Sequence, residues 1–521
     1  MLKFLRRFKS EVVGVLSGLD RIRFRGTKRF VSTVRGMTEY LWRRRILLKD
    51  FSSFAQATTA TLRGAVQEQA EQWGHPIDYL NSSSLSKEDL ALALAKERGI
   101  SQGLVAILSC VERCQSFTVR RDAASRKLQL CCIPMKCLFY YHYFLDPHFG
   151  LLHVRTQTWF PFTVFVCLNG REWLARQMDA AGIRYVKRDN CFLDIADLSA
   201  AGQLVSAQLK TNWPVVLDNL VRTTNPAHDS LFESCPLPYY WSAEETEWAT
   251  DIMFRSPESL AALMPQLIRH GVETLSCVDV LRFLGRREPT ECGTAGHFKG
   301  EVITDLKRRP EGVRLLHRLN RNWIKMYDKQ GSVLRVETVI NDPRDMKVFR
   351  TKEGDKRGRK EWLQLRKGVA DLRRRAEISQ KCNERYADSL ATLKESQPLG
   401  ELTERLSRPV PWQGRRVRAL NPLAETDAAL LEAVAHGEFL LNGFRNRDLR
   451  SLLYPAEPKD EKEARRFTAA VTRRIRLLRA HGVIQKVTKT HRYMVTEYGR
   501  AAIAALAAAR NADVNQLLTA A

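Results

Sequence analysis

Residues 322–342 read NWIKMYDKQGSVLRVETVIND, two β-branched apolar runs around a turn-like Lys-Gln-Gly-Ser. The first run carries an acid, a tyrosine and lysines; the second carries an arginine and a glutamate. Side chains two apart in a strand share a face. Tyr327 therefore lies beside Lys329, and Arg335 beside Glu337. Such a set is either a solvated hairpin face or a metal-dependent centre that handles a phosphate backbone.

The rest of the chain bears on that choice. It has 521 residues, with 84 Lys+Arg against 58 Asp+Glu, a formal charge of +26. That excess calls for a polyanionic partner, nucleic acid first among them. Arginine outnumbers lysine, and its planar fork suits phosphates and stacked bases. No apolar run approaches the roughly 20 residues that span a bilayer, which argues against a membrane partner. The eleven cysteines lack disulfide-framework spacing, so a reducing cytoplasm is the expected location. The length implies several domains.

The expected fold class is a multidomain α+β protein: antiparallel sheet cores with packed helices, plus a C-terminal winged helix. Residues 1–105 read as a basic, mainly helical region. Within it RIRFRGTKRF alternates Arg21, Arg23 and Arg25 with apolar residues, as a strand with one cationic face does. LWRRRILLKDF follows with Arg43, Arg44 and Arg45. Both runs are candidate phosphate contacts or solvated faces. Residues 106–225 alternate short β-rich runs with turn signals and form an α+β domain. Its aromatic stretch LFYYHYFLDPHFGLLHVRTQTWFPF holds His142, His148, His153 and Arg155, and serves either as core or as a base-stacking surface.

Residues 226–395 form a second α+β core. EWATDIMF is a strand, followed by the helix SPESLAALMPQLIRHG, with Ser256 as N-cap and Gly271 closing it. After the quoted hairpin, KVFRTKEGDKRGRKEW reads as a charged loop and 366–395 as a long helix. Residues 396–425, with four prolines and Arg415, Arg416 and Arg418, read as a basic linker.

Residues 426–521 give helix, helix, two strands, helix. The phrase LLRAHGVIQKV…HRYMVTEYGR resembles the end of bacterial winged-helix domains. The 461–482 helix spaces Thr472, Arg473, Arg476 and Arg479 opposite Val471, Ile475 and Leu478, and such a face fits the DNA major groove. Lys486, Lys489, His491 and Arg492 lie on the wing. Protein interaction is the other use of such a module.

IKMYDK…VLRVET resembles a pattern of rolling-circle replication initiators from phages and plasmids, I-x-x-Y-x-K followed by L-R-x-E. EWATDIMF and its helix resemble their acid-bearing strand and helix. The matching positions are Asp251, Tyr327, Lys329, Arg335 and Glu337. The whole chain is similar to a bacterial family associated with mobile elements. The resemblance implies a tyrosine that attacks a DNA phosphodiester and a divalent metal that polarises it. Tyrosine is a weak nucleophile near its usual pKa of about 10, so it needs a cation or metal beside it. Hard oxygens from Asp251 and Glu337 suit Mg2+ or Mn2+, with His317 as a third ligand. Lys329 and Arg335 would hold neighbouring phosphates. Tyr386, on the helix after the hairpin, is the first candidate nucleophile, Tyr327 the second and Tyr239-Tyr240 the third. Each also has an ordinary packing role, and Asp251 and Glu337 could be structural ion pairs. The initiators carry two histidines flanking one residue, and no two of the eleven histidines here are so spaced.

Cys110-x3-Cys114 and Cys131-Cys132-x4-Cys137 lack the two short knuckles of a zinc site, which argues against zinc. No phosphate-binding G-x4-G-K-[ST] loop is present. The expected function is a nucleic-acid-binding protein of a mobile element or replicon, acting as a metal-dependent DNA-nicking or transposase-like enzyme. The alternative is a non-catalytic binder of structured RNA or DNA. DNA is the favoured partner; oligomeric state, including a homodimer, is left open.

Overall fold

The protein is described by a computed structural model covering residues 1–512 apart from 83, 226, 234–237, 286–301, 310–311, 353, 356–357, 393–398, 437–438, 440–442 and 489. It is mixed α+β and divides into two compact units, 1–393 and 394–521.

In the large unit, α1 (Leu2–Arg7) leads into β1 (Val12–Thr27). The alternation read from the sequence holds: Ile22 and Phe24 are buried, between an exposed Arg21 and half-buried Arg23 and Arg25. Then come α2 (Val34–Arg43), α3 (Phe51–Trp73), β2 (Ile77–Leu80) and α4 (Lys87–Glu97). A four-stranded meander follows: β3 (Gly103–Arg121), β4 (Leu128–Asp146), β5 (Gly150–Gln157) and β6 (Val164–Asn169). The connection onward runs through α5 (Gly170–Ala180), the hairpin β7 (Tyr185–Arg188) and β8 (Cys191–Ile195), α6 (Leu198–Gln208), α7 (Trp213–Thr224) and α8 (Ala227–Leu231).

The pattern then repeats. β9 (Tyr240–Phe254) precedes α9 (Pro257–Glu273) and α10 (Cys277–Phe283). A second meander follows: β10 (Val302–Arg309), β11 (Gly312–Leu319), β12 (Asn322–Lys329) and β13 (Val333–Ile340). The hairpin β14 (Lys347–Thr351) and β15 (Lys360–Gln364), then α11 (Leu372–Leu390), complete the unit.

All of the strands from β1 to β6 and β9 to β13 form one sheet, ordered β10-β11-β12-β13-β9-β1-β6-β5-β4-β3-β2. It is antiparallel except for the β2–β3 edge. In each half the last strand of the meander returns to the first strand: β6 pairs with β1, and β13 with β9. The two first strands pair with each other at the centre. Asp251 is opposite Leu16, and Glu247 falls opposite the step that contains Asp20, so each aspartate faces the residue four before the other. The repeat is one of strand connectivity, invisible in the sequence because it preserves pairing rather than residue type.

One continuous sheet explains why 1–105, 106–225 and 226–395 do not fold as separate bodies: β1 and β9 are its middle strands. The runs VAILSCVE and QSFTVRR belong to the single long β3. Gly271 is inside α9, and a Cβ there would sit 2.3 Å from Leu315 Cδ2. It permits close packing of the helix on the sheet instead of ending it. The expected loop 347–362 contains the β14–β15 hairpin.

The small unit begins with the stretch expected to be a linker. Instead α12 (Leu399–Ser407), β16 (Val410–Trp412) and β17 (Arg415–Val417) fold onto the module. Leu406 and Leu420 join its core, and Arg418 makes two 2.7 Å bonds to the Asp427 carboxylate. Then come α13 (Glu425–Val434), α14 (Asn446–Leu453), α15 (Glu461–Ala480), the hairpin β18 (Ile484–Lys486) and β19 (Tyr493–Val495), and α16 (Glu497–Asn511). A further bridge joins Phe444 to Tyr493. No helix among the described residues is long and apolar enough to cross a membrane.

Candidate active site

The register of the central strands decides which side chains meet. Lys325 is opposite Glu337, Tyr327 opposite Arg335, and Arg335 opposite Asp251. Directly paired residues project to the same side of a sheet, so these five share one face with Arg314, which pairs with Tyr327. On the neighbouring β1, Leu19 pairs with Trp248 and Ile22 with Thr246. Asp20 and Arg21 therefore stand against the single Glu247. Such a bulge re-aims side chains and is common beside active sites; here it turns Asp20 toward Glu247 and Glu337.

Ligand oxygens of Asp20, Glu247 and Glu337 all lie within 4.8 Å of one another. The three carboxylates line a cavity of about 540 Å³ with Arg21, Arg314, Lys325, Tyr327 and Asn190. Lys325 Nζ sits 2.8 Å from Glu337 Oε1 and 3.6 Å from Glu247 Oε1. Arg21 Nη2 is 3.4 Å from Glu247. Tyr327 donates its hydroxyl to Glu337 Oε2 at 2.8 Å. Asn190 Nδ2 donates to both Asp20 oxygens at 2.7 and 2.9 Å. The Nε of Arg314 is buried without a hydrogen-bond partner among the described residues.

These contacts separate the acids electrostatically. Burial, then the charge of Glu337, raises Glu247 to about 7 against the pull of Lys325 and Arg21. Burial also raises Asp20, although Arg335 opposes it. Burial would raise Glu337 too, but Lys325, the Arg335 charge and the Tyr327 hydroxyl outweigh it and hold that carboxyl below its usual range. A neutral-leaning acid beside an ionised one is the arrangement that acid–base chemistry uses. Three carboxylate oxygen donors within reach of one another also fit a hard divalent cation.

Below this cluster is a second, fully buried one. Arg335 makes a fork to Asp251, Nε to Oδ1 at 2.6 Å and Nη2 to Oδ2 at 3.0 Å. It also reaches Asp20 at 3.3 Å and the Asn190 carbonyl at 2.7 Å. Arg171 adds a 3.0 Å pair to Asp251 Oδ2. Asp251 is thus neutralised by two fixed guanidinium groups, which fits a structural anchor and not the expected metal ligand.

Glu337 is at the carboxylate cluster, but the other expected partners do not converge on it. His317 pairs with Ile324, which pairs with Thr338, so it projects from the opposite face. There it bonds Thr304 at 2.9 Å and the Tyr386 hydroxyl at 3.2 Å. Tyr386 is buried on α11, edge-on to Phe283. Helix α11 covers that opposite face through the Asn383–Thr338 bond of 2.6 Å. A whole sheet thickness separates Tyr386 from Glu337, and burial pushes its phenol well above its ordinary range. Tyr327 is the tyrosine at the cluster. Lys329 ends β12 opposite Val333, and Tyr239 bonds His228.

The arginines expected to hold phosphates are largely engaged. Arg21, Arg23 and Arg25 face a ladder of Glu245, Glu247 and Glu244 at 3.4 to 3.8 Å. Arg43 pairs with Glu39 at 2.6 Å, Arg44 lies over Phe54, and Arg45 follows α2 in the left-handed region. Arg155 pairs with Glu112 at 2.7 Å and stacks on Phe139 at 4.0 Å. The aromatic stretch around it is core: Phe139, Tyr143 and His142 are buried. In the small unit, Arg473 and Arg476 are exposed on α15 and line a cavity with Arg474. Arg479 lies over Trp412, and Arg492 donates to the Gly443 carbonyl at 3.4 Å. Lys489 lies outside the described residues.

Sequence reading missed Asp20 and Glu247. Asp20 is the single acid in an otherwise apolar and cationic β1, and Glu247 opens the quoted EWATD run. Their mutual approach has no local signal.

No family model matches the chain, and no curated protein matches it. Among solved structures, the di-domain ARO/CYC BexL from the BE-7585A biosynthetic pathway is similar at 10% identity, over 59% of this chain and 94% of that one, with a TM-score of 0.16. A likeness at that level carries no argument about fold or activity.

Proposed function

We propose that the protein processes nucleic acid, with a divalent-cation-dependent phosphodiester centre in the large unit and a winged helix as its C-terminal unit. The carrying observation is the convergence of Asp20, Glu247 and Glu337 within ligand distance on one cavity wall. Those three carboxylates would hold Mg2+ or Mn2+. When bound, the ion supplies Lewis-acid polarisation of a phosphoryl oxygen. Arg314, with its unsatisfied buried Nε, and Arg21 offer charge to the phosphate. Tyr327 is the candidate nucleophile: burial and the Glu337 charge hold its phenol well above its ordinary range, and Glu337, which accepts its hydroxyl, would take the proton as it attacks. The setting remains the replicon or mobile element that the hairpin motif suggests.

The order α13, α14, α15, two-stranded hairpin, α16 supports the winged-helix reading, with the Phe444–Tyr493 bridge adding a third segment beside the hairpin. Arg473 and Arg476 on α15 would then face the DNA. A second reading has a specific observation behind it. Lys325 and Arg335 already bridge the acids, which suits a non-catalytic binder with a structural charge network.

Supercoiled plasmid and single-stranded DNA incubated with Mn2+, together with calorimetric Mn2+ titration, separate the two. The enzyme reading expects nicking and Mn2+ binding that both disappear in Asp20→Asn with Glu247→Gln. Nucleic-acid binding with neither cleavage nor metal uptake selects the binder.

A further inference from the structure

The β14–β15 hairpin presents an unusual surface. Phe349 and Trp362 are directly paired across the strands, and both side chains face solvent, 57% and 59% exposed. Their ring centroids are 5.6 Å apart. The neighbouring pairs on the same face are Lys347 with Gln364 and Thr351 with Lys360. That face therefore carries two aromatics and two lysines and no acid. Among the residues of the two strands the one carboxylate, Glu361, pairs with Arg350 on the other side.

The hairpin is anchored from beneath. Val348 is buried, and Met346 and Leu365 join the core of the large unit. A 3.0 Å bond from the Leu365 amide to the Met346 carbonyl closes its base. A cross-strand aromatic pair steadies a hairpin by only about 0.2–1 kcal/mol. That gain does not require both rings to stand in water when the apolar side of the ribbon is already buried.

A planar apolar platform flanked by cations matches one ligand chemistry. Bases stack on aromatic rings without regard to sequence, and lysines track the phosphates between them. A duplex conceals its base faces. We propose that Phe349 and Trp362, with Lys347 and Lys360, form a binding platform for unpaired, single-stranded nucleic acid. The proposal rests on the nucleic-acid reading above and specifies its substrate form.

Fluorescence anisotropy of the full chain with a labelled oligothymidylate and with a matched duplex tests it. Phe349→Ala with Trp362→Ala is expected to weaken single-strand binding by about tenfold or more, with duplex binding and melting temperature unchanged. Phe349→Leu with Trp362→Leu, which keeps apolar area but removes the ring faces, is expected to lose binding similarly. Lys347→Gln with Lys360→Gln is expected to flatten the salt dependence by roughly one unit of slope. Single-strand binding that survives both aromatic variants overturns the platform and leaves nucleic-acid binding standing. If the wild-type chain binds neither oligonucleotide, both readings fall. Self-association lost in the alanine variant, with oligonucleotide affinity unaltered, assigns the surface to a protein contact and also overturns the platform.

Discussion

The Lys325 ammonium lies between Glu337 and Glu247, 2.8 Å from one carboxylate and 3.6 Å from the other. It occupies the position from which a cation neutralises both, in a cluster that also holds Asp20. Removing it leaves the two glutamates facing each other at low exposure.

Lys325→Met is therefore expected to destabilise the metal-free chain by about 3 kcal/mol, the scale for a buried pair that loses one partner. Mn2+ is expected to recover part of the loss by taking over the neutralising role. Melting in chelator and in Mn2+ measures both effects. Equal melting of variant and wild type in chelator would show that the ammonium contributes nothing.

Asp251→Ala is expected to cost about 3–5 kcal/mol, because it removes the carboxylate that Arg335 and Arg171, both fully buried, share. Urea unfolding measures the loss. A change under 1 kcal/mol, by the same scale, would mean that the two guanidiniums are satisfied without it.

Tyr386→Phe is expected to leave any metal-dependent cleavage intact, since its hydroxyl bonds His317 on the far face. The loss of that bond costs about 1 kcal/mol of stability. Tyr327→Phe is expected to abolish protein-linked product, and a gel assay for covalent product separates the two. Loss of product in Tyr386→Phe alone would reverse the assignment.

Acid stability draws on several buried histidines, His142 and His228 among them. Burial lowers His142 to about 3, and burial with Lys28 nearby lowers His228 to about 3, from 6.5. Below 6.5 the unfolded chain binds protons that the folded chain refuses, so stability rises with pH through this window. It is fully present above 6.5 and declines as pH falls toward 3, by about 1.4 kcal/mol per pH unit per histidine. Melting temperature against pH checks this. A flat profile between 6.5 and 4, where both histidines are neutral in the fold, would contradict it.

Much of the local structure is legible in single stretches. The alternation in RIRFRG predicts β1, Ser256 caps α9 through the Ser259 amide at 3.3 Å, and the Lys-Gln-Gly-Ser turn predicts the β12–β13 hairpin. The shared faces of Tyr327 with Lys329 and Arg335 with Glu337 follow from the same period of two. The exposed ribbon at 347–364 is not legible, because its charged, glycine-containing centre masks two short strands whose inward apolar residues are Val348 and Leu363 alone.

By itself, then, the chain's order of residues determined its α+β class, its cationic surplus and the side chains that one strand presents together. Tertiary structure alone decided which strands became neighbours. It brought Asp20 from β1 to Glu247 and Glu337, paired the β1 arginines with the β9 glutamates, and placed Tyr386 and His317 behind the sheet. The reason is that side-chain alternation is a property of one backbone segment, whereas register and face are settled by burial between segments hundreds of residues apart.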